Sequence, residues 1–332
     1  MSSKEKILVV GPAWVGDMVM AQSLFKLLKS QGAGLIDVVA PGWSGPLLER
    51  MPEVRTAVAM PIGHGELGMA TRRRIGRSLR SLGYDRSIVL PRSWKSALLP
   101  FFAGIPQRTG FDTEMRYGLL NDRRELDRDL LDQTVKRFLA LGLPRGAPLP
   151  APPQPVLETR PERFAELASQ FGLSTPAVAL MPGAAYGPAT CWPLEHYAEL
   201  AGLILASGRQ VWVLGSDGDC AAGDEIAAGA TGTINLCGET QLVDTVDLLA
   251  ATDAAVSNDS GLMHVAAAAG TRVIGLYGSS SPRYTPPLTD RCEIVYLDLD
   301  CSPCFQRECP LGHLRCLREI SAAQVAAALE LD

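Results

Sequence analysis

Six of the twelve residues from Pro144 to Pro155 are proline. A run of that density continues neither a helix nor a central strand, because each proline fixes φ and removes a backbone N–H. It predicts a linker, and with it two domains, residues 1–143 and 156–332, joined by residues 144–155. A length of 332 residues leaves each half enough chain to bury a core. Lys6–Gly11, Ile36–Ala40 and Ser87–Leu90 read as apolar strands, with a helix over Asp17–Lys29. Beyond the linker, Ala177–Met181, Val211–Leu214, Ala254–Ser257 and Val273–Tyr277 read as strands. Pro193–Ala206, closed by Gly208, Leu242–Ala251 and Leu262–Ala269 read as helices. Short buried strands alternating with helices predict the α/β class, with two Rossmann-like domains facing each other across a cleft. No fixed short repeat is present, which argues against a solenoid.

Charge is divided as sharply as the chain. Residues 1–150 carry 22 Lys and Arg against 14 Asp and Glu, a net +8, and residues 151–332 carry 9 against 22, a net −13. Thr71–Arg80 alone holds five arginines, and Arg92, Lys95, Arg108 and Arg116 add to the same half. A basic first half predicts an acidic partner, although opposite halves also attract each other and a basic helix face is often only solvated. Nucleic acid is not expected, because no recognition motif accompanies the charge. No apolar run reaches the roughly 18 residues of a membrane span, and the opening Met1-Ser2-Ser3-Lys4-Glu5-Lys6 does not begin a signal peptide. The expectation is a cytoplasmic protein whose eight cysteines are thiols or ligands rather than disulfides.

Two turns carry chemistry. Asn258-Asp259-Ser260-Gly261-Leu262-Met263-His264 joins a strand to a helix, so the N–H groups of Ser260 and Gly261 stand at a helix start where an anion docks. Gly11-Pro12-Ala13-Trp14-Val15-Gly16-Asp17-Met18 has the glycine spacing of a P-loop, but Asp17-Met18 replaces Lys-Ser/Thr, so it does not cradle a triphosphate. Asp17 then reads either as an N-cap or as a general base.

These turns, together with Met115-Arg116-Tyr117-Gly118-Leu119-Leu120-Asn121-Asp122, Pro182-Gly183-Ala184, Gly238-Glu239-Thr240 and Ser279-Ser280-Ser281-Pro282, resemble the glycosyltransferase family 9 heptosyltransferases over nearly the whole chain. The resemblance implies a GT-B architecture, with an acceptor held mainly by the first domain and ADP-L-glycero-D-manno-heptose by the second. It implies an inverting transfer of heptose to the first heptose of the lipopolysaccharide inner core, heptosyl-Kdo2-lipid A, with no metal or other cofactor required. Asp17 becomes the base. Ser260 and Gly261 hold the ADP oxygens, His264 donates to a phosphate, Asp259 orients the loop and Glu239 accepts the ribose hydroxyls. Acceptor contacts fall to Gly16, Arg72, Lys95, Arg108 and Arg116.

One departure stands out. Thr190, followed by Cys191, occupies the place where the family usually carries a phosphate-contacting lysine, with Arg283 a candidate substitute. That departure keeps a non-catalytic nucleotide or core-sugar binder as an alternative, beside a transferase acting on Kdo2-lipid A. A lipid-linked acceptor also implies peripheral contact with the inner membrane, where the arginines meet anionic groups. Cys301, Cys304, Cys309 and Cys316, with His313 among them, are dense enough for a structural metal, though buried or partly oxidised thiols fit the same residues.

Overall fold

The computed structural model describes residues 5–63 and 65–331. Residues 1–4, part of the expected start without a signal peptide, lie outside them. The chain divides into two compact units, Met1–Pro155 and Val156–Asp332.

In the first unit, strands β1 (Lys6–Val10), β2 (Leu35–Pro41), β3 (Thr56–Met60), β4 (Arg86–Val89), β5 (Gln107–Phe111) and β6 (Asp122–Arg124) form one sheet, ordered β3-β2-β1-β4-β5-β6. Every pairing is parallel. Helices α1 (Val15–Ser30), α2 (Gly45–Leu48), α3 (Met69–Leu79), α4 (Leu98–Phe102) and α5 (Thr134–Gly142) make or follow the connections. Central strands of a parallel sheet are covered on both faces, which is why β1 reads as the unbroken apolar run Ile7-Leu8-Val9 and buries all of it. Helix α1 buries most of its circumference because α5 packs against its outer side. The proline-rich segment falls within the first unit's bounds. Ser23 Oγ of α1 donates to Pro153 O at 2.6 Å, fastening the segment to the helix.

The second unit repeats the plan. Strands β7 (Ala177–Met181), β8 (Gln210–Val213), β9 (Ile234–Asn235), β10 (Ala254–Asn258), β11 (Arg272–Tyr277) and β12 (Cys292–Tyr296) are ordered β12-β11-β10-β7-β8-β9, again all parallel. Its helices are α6 (Pro161–Phe171), α7 (Leu194–Ala206), α8 (Cys220–Gly229), α9 (Leu242–Ala250), α10 (Gly261–Ala268), α11 (Arg315–Arg318) and α12 (Ala322–Leu329). The period of two along β7 sorts the layers. Val178 and Leu180 join a core with residues of α7, α8 and α12. Residues on the other face, such as Trp212 of β8, meet α6 through Phe164, with ring centroids 6.1 Å apart.

In each sheet the strand order reverses once, at β1/β4 and at β10/β7. In parallel α/β sheets such reversals open a crevice at the carboxyl ends of the two strands, and ligands bind there.

Candidate active site

At the second unit's reversal the walls are the turn after β7, residues 182–191, and the turn after β10, residues 259–260. One side chain holds them together. Asn258, fully buried at the end of β10, donates through Nδ2 to Pro182 O at 2.6 Å. Its Oδ1 accepts from Trp192 N at 2.9 Å and from Tyr197 Oη at 3.2 Å. A buried amide with both ends satisfied fixes the spacing of two loops, since moving either leaves a polar atom unpaired. The sequence reading placed Asn258 beyond its strand and gave it no role. Its signal was the Asn-Asp pair at the edge of an apolar run.

Helix α10 starts beside this clamp. Ser260 is its N-cap residue, extended and making no side-chain cap. Its hydroxyl shares a 3.1 Å hydrogen bond with Ser257 Oγ instead. The first-turn N–H groups, Gly261 among them, therefore keep their capacity for an external anion. Asp259 is the residue expected to orient the loop. Its carboxylate faces Thr285 Oγ1 at 3.3 and 3.4 Å, which ties the loop after β11 to the α10 turn. Burial pushes the Asp259 carboxyl up to about 6, against the opposing pull of the Ser280 and Thr285 hydroxyls. The carboxyl is thus mostly ionised at pH 7 and protonates under mild acid. His264 lies inside α10, buried, and burial pushes its imidazole down to about 4. It is neutral at pH 7 and brings no positive charge to a phosphate. Thr190 is buried with its hydroxyl donating to Gly187 O at 2.7 Å, so its proton is already committed within its own loop. Glu239 stands exposed on the turn after β9.

In the first unit the reversal lies between β1 and β4. Gly16 and Asp17 are the second and third residues of α1, with Trp14 at the N-cap position. Asp17 is therefore not the helix cap; it lies half-buried in the first turn, at the carboxyl end of β1.

The four basic acceptor candidates all donate to backbone carbonyls. Arg116 is fully buried, donating to Pro91 O at 2.9 Å and to Phe111 O, and burial lowers its pKa to about 10. Arg72 is buried with Nε on Leu67 O at 2.7 Å. Arg108 donates to Leu119 O and Ile105 O, and Lys95 to Gly65 O. Buried guanidinium groups persist only where their N–H groups find acceptors, and here the acceptors are loop carbonyls. Arg72 and Arg116 are struts beneath the surface, which corrects the expectation that they wait for an anion. Arg73, Arg74 and Arg77 of α3 remain exposed. So do Trp14, Trp43 and Trp94, which sit on the turns after β1, β2 and β4 and to which the sequence reading assigned no role.

Cys301, Cys304, Cys309 and Cys316 line one cavity together with His313 and Ser279. All are free thiols. Backbone N–H groups of Leu314, Leu311, Gly312 and His313 hold the Cys309 thiol below its ordinary pKa, and burial raises that of Cys316. Among the described residues no three His, Cys, Asp or Glu side chains stand in metal-holding geometry, so the expected candidate for a structural metal is not assembled.

A match to glycosyltransferase family 9 (heptosyltransferase) spans residues 72–315. The chain is 50% identical over 306 residues to the lipopolysaccharide heptosyltransferase 2 of Salmonella typhimurium, covering 88% of each. It is 49% identical over 306 residues to the protein of that name from Escherichia coli, again covering 88% of each. The solved E. coli ADP-heptose lipopolysaccharide heptosyltransferase II superposes with a TM-score of 0.86 at 44% identity, covering 98% of this chain and 97% of that one.

Proposed function

The chain belongs to glycosyltransferase family 9, the heptosyltransferases, and from that premise we propose that it moves L-glycero-D-manno-heptose from ADP-heptose to the first heptose of the lipopolysaccharide inner core. The observation that carries the reading is a carboxylate, Asp17, at one strand-order reversal and an uncapped helix start, Ser260-Gly261, at the other.

The reaction is one displacement at the anomeric carbon. Asp17 takes the proton of the acceptor hydroxyl as its oxygen forms the new glycosidic bond. ADP leaves from the opposite face with the electron pair of the breaking bond, so the anomeric configuration inverts. The departing diphosphate gains charge, and fixed N–H groups at Ser260 and Gly261 stabilise it; one such donor is worth roughly 3 kcal/mol. Asp259 keeps the β11 loop against that turn. In this reading amide dipoles do the work of a metal, and no cofactor takes part. Glu239, exposed, accepts the ribose hydroxyls as a two-oxygen acceptor. His264 supports the helix rather than the phosphate. On the acceptor side the exposed Trp14, Trp43 and Trp94 offer flat apolar faces to sugar rings, near Gly16 and Lys95.

The acceptor is a lipid, so the enzyme works at the cytoplasmic surface of the inner membrane. No described helix is long and apolar enough to cross a membrane. Arg73, Arg74 and Arg77 supply a salt-sensitive attraction to its anionic groups, each about 1 kcal/mol near such a surface.

The test is turnover of ADP-heptose with heptosyl-Kdo2-lipid A, with Kdo2-lipid A, and with neither. Turnover with the first alone supports the reading. Turnover with the second alone moves the activity one sugar earlier, and binding of ADP-heptose without turnover on either makes the protein a binder.

A further inference from the structure

The turns around the start of α10 carry the carboxylate of Asp259 and one arginine, Arg283, which is exposed. Asp259 is mostly ionised at pH 7, and Thr190, Ser279, Ser280 and Thr285 are neutral. A diphosphate placed there adds more negative charge. Residues 156–332 contain nine arginines and no lysine. Several are engaged elsewhere. Arg163 pairs with Asp244 and Glu166, Arg272 with Glu293 and Glu330, Arg315 with Glu319, and Arg291 donates to Gly270 O.

Arg307 is different. It is exposed, its guanidinium lies 5.6 Å from the centre of the Tyr186 ring, and it has no carboxylate partner among the described residues. Its backbone is woven into the walls of the crevice. Ala189 N donates to Arg307 O at 3.0 Å, and Tyr186 Oη donates to Phe305 O at 2.8 Å. Phe305 N donates to Ser279 O at 2.7 Å. Residues 305–307 thus form a strap joining the turn after β7 to the loop after β11, on either side of the α10 start. The fit is close at Gly187, where a Cβ would stand 2.6 Å from Arg307 O, so only glycine lets the strap approach.

We propose that the Arg307 guanidinium contacts the diphosphate of a nucleotide-sugar donor held at the start of α10, and supplies positive charge to this crevice. The inference rests on the donor reading above. A planar fork that donates to two oxygens suits a diphosphate, and stacking on Tyr186 holds it ready with little entropy left to lose. Cys304 and Cys309, which flank the strap in sequence, line the thiol cavity.

Calorimetric titration of the full chain with ADP and with adenosine tests this. Arg307→Gln is expected to weaken ADP about 10- to 100-fold, the scale of one charge-assisted hydrogen-bonded contact, and to leave adenosine unchanged. Arg307→Lys should recover most of the ADP affinity, and the variant lacking the charge should lose the salt dependence of ADP binding. Equal ADP affinity in Arg307→Gln and wild type overturns the proposal. So does an equal loss of ADP and adenosine, which marks a collapsed loop, or a loss confined to Arg283→Gln, which assigns the charge to that residue. Wild-type protein that binds no ADP sinks the donor reading itself, a separate result from any of these.

Discussion

The two strand-order reversals share a topology and are built from opposite materials. In the second unit, one fully buried amide, Asn258, locks two turns at fixed spacing, and both tryptophans of that unit, Trp192 and Trp212, are buried. In the first unit, the three tryptophans Trp14, Trp43 and Trp94 all lie exposed, and arginines act as struts beneath the turns. A short, doubly satisfied amide ties two turns together, whereas long cations reaching carbonyls support turns that leave apolar faces exposed. On the proposed reading, the amide-tied reversal receives a donor of constant shape and the one with exposed tryptophans receives a bulky lipid-linked sugar.

The largest expected effect falls on the first unit's carboxylate. Asp17→Asn keeps the size of the side chain and removes the base, so kcat should fall about 10²- to 10⁴-fold, the usual worth of general-base catalysis. ADP affinity, a property of the second unit, should not move. A variant that retains wild-type kcat at saturating substrates removes the asymmetry between a chemical reversal and a binding one.

The clamp and the strut come next. Asn258→Ala leaves Pro182 O and Trp192 N without this partner in a dry site, and Arg116→Met removes a buried donor from Pro91 O and Phe111 O. Each should cost about 2–4 kcal/mol in urea unfolding. Only the first should also weaken ADP, because only it borders the α10 start. Equal effects on ADP would show that the rigidity of the second reversal is not local.

What the sequence disclosed follows from which interactions are local. The strand at Ala177–Met181 matches β7 residue for residue, and the helix expected over Leu262–Ala269 differs from α10 by a single position at each end. Buried parallel strands and glycine at a helix start leave short-range patterns. The acceptor-side arginines were misread because charge in a sequence looks like surface. Only the fold reveals that Arg72 and Arg116 lie beneath turns whose carbonyls need donors. Asn258 acts through partners 61 to 76 positions away and Arg307 through a strap with no regular structure, so no spacing rule finds them.

A smaller effect separates the charge at Asp259 from its shape. Its folded pKa of about 6 lies above the ordinary carboxylate value, so between about pH 4 and pH 6 the folded chain holds a proton that the unfolded chain has lost. Stability from this group therefore falls as pH rises through that window and stays low above it. Asp259→Asn, which keeps an acceptor for Thr285, should match wild type near pH 4 and exceed it by about 1–2 kcal/mol at pH 8, after solvent screening is allowed for. A constant difference at both pH values would mean that packing, not ionisation, distinguishes the two side chains.

The smallest effect on the fold is expected where the first unit is most charged. Arg73 and Arg77 are exposed on α3, four residues apart, and neither forms an ion pair among the described residues. Replacing both with Gln removes a like-charge neighbour pair, so unfolding free energy should change by less than about 0.5 kcal/mol. ADP affinity should stay put as well. Sedimentation with phosphatidylglycerol vesicles should drop several-fold, and the remaining binding should lose its salt dependence. If the double variant binds such vesicles as wild type does, the exposed arginines are a solvated face. The contrast between the two reversals would then rest on the tryptophans alone.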